Sequence, residues 1–113
     1  GQASLDDIST RLGRPLDMLR FRPNLVVEGS EAFAEDGWKR IRIGDVEFRL
    51  VKSCSRCILT TIDPQTGERD EQREPLMTLM SYRKQEGGTM FGQNLVNDSH
   101  GVLEVGMPVT VLE

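Results

Sequence analysis

The chain has 113 residues, 37% of them hydrophobic and 28% charged, with a net charge of −4. That length makes one domain, and the mild acidic balance excludes a dedicated nucleic-acid surface, which needs a basic excess. Its apolar runs are too short to span a bilayer, and without a secretory pattern at the N-terminus the two cysteines point to a reducing, cytoplasmic setting.

Ser4 to Gly13 predicts a short helix: Ser4 is placed to cap it, Asp6 and Asp7 suit its positive end, and Gly13 supplies a left-handed stop. Leu5, Ile8 and Leu12 fall on one face of that helix. After Arg14-Pro15, residues 16–19 read as a short turn or strand. Pro23 is expected to hold Arg22 extended, with a short strand following at Leu25-Val26-Val27. The polar stretch 28–36 reads as a loop anchored by Phe33.

Residues 38–43 and 46–51 are β-prone runs joined by Gly44-Asp45, a hairpin signal. Val46-Glu47-Phe48-Arg49-Leu50-Val51 alternates apolar and charged residues, the period of a half-buried strand. Ile58 to Ile62 is apolar and β-branched, so a further strand is expected there before the Asp63-Pro64 turn. Residues 67–73 read as a loop and 75–84 as a second helix, with Leu76, Leu79 and Met80 on its packing side. Strands are expected at 90–96, 102–106 and 108–112. The sum is a mainly β, α+β domain with two short helices.

Three polar constellations stand out. Cys54 and Cys57 sit at the end of the strand, where a thiol can be rigidly held yet face a cleft. A redox dithiol would want a helix directly after the motif; alternatively both thiols are small core residues, or one is a thiolate ligand to a soft metal carried by a cofactor. In that last case Lys52, Ser53, Ser55 and Arg56 would favour the thiolate and bind an anion. With His100, the cysteines make three ligands where structural zinc takes four. Arg20, Arg22 and Asn24 form the second cluster, suited either to an anionic ligand or to ion pairs with Asp17 or Glu28. The third is Phe91-Gly92-Gln93-Asn94, where a glycine inside a strand signals a bulge or a close backbone approach. His100 reads as an exposed loop residue.

Taken together, Arg20-Phe21-Arg22-Pro23-Asn24 and the run from Cys54-Ser55-Arg56-Cys57 to Asp63-Pro64 resemble the MOSC domain, the molybdenum-cofactor sulfurase C-terminal family. Glu74-Pro75-Leu76, Ser81-Tyr82-Arg83, Phe91-Gly92-Gln93 and Val105-Gly106-Met107-Pro108-Val109 extend the likeness. Within that family it looks most like the branch of the mitochondrial amidoxime-reducing component and its bacterial counterparts. The resemblance implies a mixed, barrel-like β core and a molybdenum cofactor (Mo-molybdopterin). Cys57 would be the metal ligand and catalytic thiol, Ser55 and Arg56 would touch the cofactor beside it, and Arg22, Asn24 and Asn94 would contact the pterin or its phosphate.

The implied reaction is two-electron reduction of small N-hydroxylated compounds, N–OH to N–H. Electrons would come from a donor such as a ferredoxin-like domain or a flavin reductase. A family-level term for pyridoxal phosphate binding comes with the resemblance. Residues 1–113 would then be a MOSC domain without its N-terminal part and the β domain that precedes it in the family. The alternative is a non-catalytic carrier of sulfur or cofactor that uses the same Cys57.

Overall fold

Gly44-Asp45 does turn a hairpin, and the sheet is built outward from it. In the computed structural model, which describes residues 1–113, β1 (Arg40–Ile43) pairs antiparallel with β2 (Val46–Arg56). Ile41 stands opposite Phe48 and Ile43 opposite Val46, and Ile41, Ile43 and Val46 are buried. The strand that this alternation predicted runs on past Val51, through Ser53, Cys54 and Ser55, to Arg56. β2 also pairs with β4 (Gly88–Asn97), β4 with the two-residue β3 (Lys84–Gln85), and β1 with β5 (Val109–Val111).

The strand order is β3-β4-β2-β1-β5, with every pair antiparallel. The mainly β, α+β reading with two short helices describes this architecture. The barrel-like core does not form: β3 and β5 are the two edges, and at two and three residues neither is long enough to close the sheet.

α1 (Gln2–Leu12) and α2 (Leu76–Tyr82) pack on the β4 end of this sheet. Leu5, Ile8, Phe21, Leu79 and Phe91 form one buried cluster, with Ile8 and Leu79 fully inaccessible. The predicted packing faces are right for Leu5, Ile8 and Leu79, whereas Met80 is exposed on the rim of α2. Phe33 anchors its loop as expected. Its ring meets Tyr82 and Phe91 edge-on, with centroids 6.0 Å and 6.2 Å away. No helix is long and apolar enough to cross a membrane.

Several local expectations fail for identifiable reasons. Ser4 lies inside α1, and Gly1 takes the cap position. The Ser4 hydroxyl instead accepts from the Phe33 N–H at 2.7 Å and donates to the Glu35 carboxylate at 2.8 Å, tying helix to loop. Ile58–Thr61 is a 3-10 turn, not a strand. The Thr60 and Thr61 hydroxyls donate back to the carbonyls of Cys57 and Ile58, at 2.9 Å and 2.6 Å, and those local bonds outcompete sheet pairing. Residues 25–27 and 102–106 lie outside any strand. Val102 and Val105 are exposed there.

Asp70 ties the loop after that turn to the end of α1. Its carboxylate accepts from Arg14 at 2.7 Å and from the backbone N–H groups of Glu74 and Gln72, at 2.8 Å and 3.1 Å. The Glu74 N–H first, and then Arg14, hold its pKa below the ordinary carboxylate value. A lowered folded-state pKa gives stability that is complete above the unfolded-state value and is lost as pH falls through the lowered one. The thermal midpoint should therefore drop below about pH 4, and Asp70→Asn should flatten that acid limb in a melting series.

Candidate functional site

The long β2–β4 pair carries two register shifts, between Leu50 and Lys52 and between Ser53 and Ser55. Such irregularities twist a strand and re-aim its side chains. Beside the second shift Gly92 adopts φ +85°, and a Cβ built on it would stand 3.1 Å from Nη2 of Arg56. The glycine is thus the close approach that its place in the strand suggested.

Arg56 reaches across this gap. Its Nε donates to the Phe91 carbonyl at 2.8 Å and its Nη1 to the Phe21 carbonyl at 2.9 Å. The guanidinium also lies 5.3 Å from the Phe21 ring centroid, while the Phe21 and Phe91 rings stack at 4.2 Å. Burial pulls the Arg56 pKa below its ordinary value, and nearby Cys54 and Cys57 act against that shift.

Phe21 ends a 3-10 turn, Met18–Phe21, which Asp17 caps by accepting the Leu19 N–H at 2.9 Å. The turn closes on Arg22, whose N–H donates to Leu19 at 3.1 Å and whose backbone is left-handed, φ 47°, ψ 54°. The extended geometry expected before Pro23 is therefore overridden by the requirement to terminate the turn. A non-glycine residue held this way stores strain on the order of 1–3 kcal/mol. The ion pairs considered for this cluster do not form. Asp17 is spent on Leu19 and Gln65, Arg20 donates to the Thr60 carbonyl at 3.2 Å, and the Arg22 guanidinium is unpaired.

These elements enclose a cleft of about 370 Å³. Arg22, Asn24, Arg56 and Asn94 all line it, as do Cys54 and the single tryptophan, Trp38. Four of the six residues singled out in the sequence thus converge. Ser55 and Cys57 do not line the wall. Strand alternation puts them on the opposite side of β2 from Cys54 and Arg56, and both are exposed.

Of the two cysteines it is Cys54 that reaches the cleft wall, and its even spacing from Arg56 along a strand was the signal that sets it apart from Cys57. Both cysteines are free thiols. The backbone stays extended from Cys54 through Cys57, so their Cα atoms are roughly 10 Å apart. A disulfide requires less than about 7 Å, which removes the redox-dithiol reading.

Beyond the far end of β4, His100 is exposed, and no three His, Cys, Asp or Glu side chains gather around a common point. The cleft has guanidinium and amide donors but no lysine in its wall. The pyridoxal phosphate term therefore has no support, since that cofactor is held through a lysine amine.

Comparison with known proteins identifies the domain. A family model described as the MOSC domain matches residues 1–110. Mitochondrial amidoxime-reducing component 1 of Homo sapiens is 44% identical across 98% of this chain, which corresponds to 35% of the human protein. Mitochondrial amidoxime reducing component 2 of Rattus norvegicus is 47% identical across 96% of the chain, and component 1 of Danio rerio 46% across 96%, in each case 34% of the relative. The chain thus spans about a third of the length of the curated relatives it matches.

The relatives' mitochondrial names overturn the cytoplasmic setting read from the cysteines. Free thiols indicate a reducing environment, which is not unique to the cytoplasm. With the family match running from Gly1 to residue 110, the chain belongs to the MOSC domain family.

Proposed function

We propose that residues 1–113 form the molybdenum-cofactor-binding MOSC domain of an oxidoreductase that reduces N-hydroxylated compounds. One observation carries this reading: unpaired Arg22, Asn24 and Asn94 converge on a single cleft while a free, exposed Cys57 thiol stands at the end of the strand that walls it. The side chains suit the group. A pterin phosphate takes guanidinium and amide donors, and a molybdenum already held by dithiolene sulfurs needs one soft thiolate rather than a cluster of protein ligands. The relatives' names, amidoxime-reducing, supply the substrate class.

Each side chain has a role of its own in this reading. Arg22, with Asn24 and Asn94, binds the anionic end of the cofactor, Cys57 offers the thiolate, and Ser55 and Arg56 flank it. When bound, the cofactor supplies the electron pair that, with two protons, converts N–OH to N–H and releases water. The exposure of Cys57 leaves the approach open to a small N-hydroxylated substrate. A reduced donor, such as a ferredoxin-like domain or a flavin reductase, replenishes the electrons.

The same exposure favours a second reading, in which the domain carries sulfur or cofactor to a partner without turnover. Molybdenum and pterin assays on the full-length protein, combined with donor oxidation on adding an aryl amidoxime, separate the two. Stoichiometric metal with substrate-dependent donor oxidation is expected. Cofactor release to an acceptor without turnover would favour the carrier, and a protein that takes up neither metal nor pterin would overturn both.

A further inference from the structure

A basic residue adjacent in sequence to the thiol invites reading Arg56 as a direct contact to the cofactor. Two of its donor nitrogens are already committed elsewhere. Nε and Nη1 each donate to a backbone carbonyl, those of Phe91 and Phe21, and Nη2 lies against Gly92. The two carbonyls belong to separate elements, the strand β4 and the Met18–Phe21 turn. A planar guanidinium fork can bridge them in a way that a lysine ammonium cannot. The Phe21 carbonyl also belongs to the peptide group that leads directly into Arg22. That peptide must be held firmly, because Arg22 is left-handed and precedes proline.

We propose that Arg56 is a positioning residue. It latches the turn to β4, and so holds the unpaired Arg22 guanidinium on the cleft, and Gly92 is the position that leaves room for the latch. This rests on the reading of Arg22 as a contact to the anionic, phosphate-bearing end of the cofactor. Arg56 then acts on that anion through the Arg22 backbone and not by touching it.

The test uses the full-length protein, with inorganic phosphate as the probe and amide hydrogen exchange at Arg22 as a second readout. Arg56→Lys keeps the charge but loses the fork. It should weaken phosphate binding roughly tenfold and speed Arg22 exchange by a similar factor, the loss of one charge-assisted bond. Gly92→Ala should shift both in the same direction, by crowding the guanidinium and by straining the φ +85° backbone that positions the Phe91 carbonyl, and it serves as the second variant if Arg56→Lys does not fold. In an Arg22→Gly background, adding Arg56→Lys should change the residual phosphate affinity by less than about twofold.

Wild-type affinity and exchange in both Arg56→Lys and Gly92→Ala would overturn the latch. So would an equal loss of affinity with and without Arg22, which would mean that Arg56 touches the anion itself. If Arg22→Gly binds phosphate as well as wild type, the anion reading fails, and Arg22 exchange still decides whether the latch exists.

Discussion

Replacing Cys57 with alanine in the full-length protein should abolish reduction of N-hydroxylated compounds, whereas Cys54→Ala should leave most of it. Cys57 is a free thiol, exposed at the point where β2 gives way to the 3-10 turn, so it is available to a metal. Both of its flanks are anchored. Arg56 is bonded to two carbonyls on one side, and Thr60 closes the turn back onto the Cys57 carbonyl on the other. Cys54 is half-buried in the cleft wall, and its sulfur makes only a long contact of 3.8 Å to the Ser55 carbonyl. Its truncation removes a small side chain, at a cost on the order of 1 kcal/mol in stability. Donor oxidation assays on the two folded variants would show the asymmetry. Normal turnover in Cys57→Ala would reverse the assignment.

Leu79→Ala should give the largest loss of stability among single side-chain truncations in α2. Leu79 is fully inaccessible and belongs to the cluster of Leu5, Ile8, Phe21 and Phe91. Truncation there costs about 2–5 kcal/mol against a typical total of 5–15 kcal/mol. In a domain of this size the thermal midpoint should fall by on the order of 10 °C. Phe21 and Phe91 belong to the same cluster and supply the two carbonyls that Arg56 grips. Loosening the core should therefore weaken ligand binding in the cleft before it unfolds the chain. Met80→Ala, on the exposed rim of the same helix, is the control and should shift the midpoint little.

The parts of this fold that could be read from sequence are those set by local periodicity. The Gly44-Asp45 hairpin, the alternation entering β2 and the apolar face of Leu5 and Ile8 all depend on near neighbours in the chain. The misreadings occurred where side chains bond to nearby backbone. Ile58 to Ile62 has strand composition, yet the hydroxyls of Thr60 and Thr61 fold it into a turn. Pro23 argues for an extended Arg22, yet the end of the preceding turn makes it left-handed. Barrel closure was an inference from family likeness, and the short edge strands β3 and β5 leave the sheet open.

Of the candidate site, the anion-binding residues were legible as motifs. Their convergence was not, because Arg22 and Asn94 come to one cleft only through the long-range pairing of β2 with β4 and the Arg56 bridge. The place of Cys54 in the cleft wall was recoverable from strand parity, since it stands two residues before Arg56. The commitment of the Arg56 side chain to two carbonyls had no signal in the sequence at all.

The most direct measurement of the central claim is X-ray absorption at the molybdenum edge of the full-length protein, comparing wild type with Cys57→Ala and Cys54→Ala. Cys57→Ala should show one fewer sulfur neighbour at the metal, with Cys54→Ala matching wild type. An unchanged sulfur count in Cys57→Ala, or a loss confined to Cys54→Ala, would contradict Cys57 as the thiolate ligand.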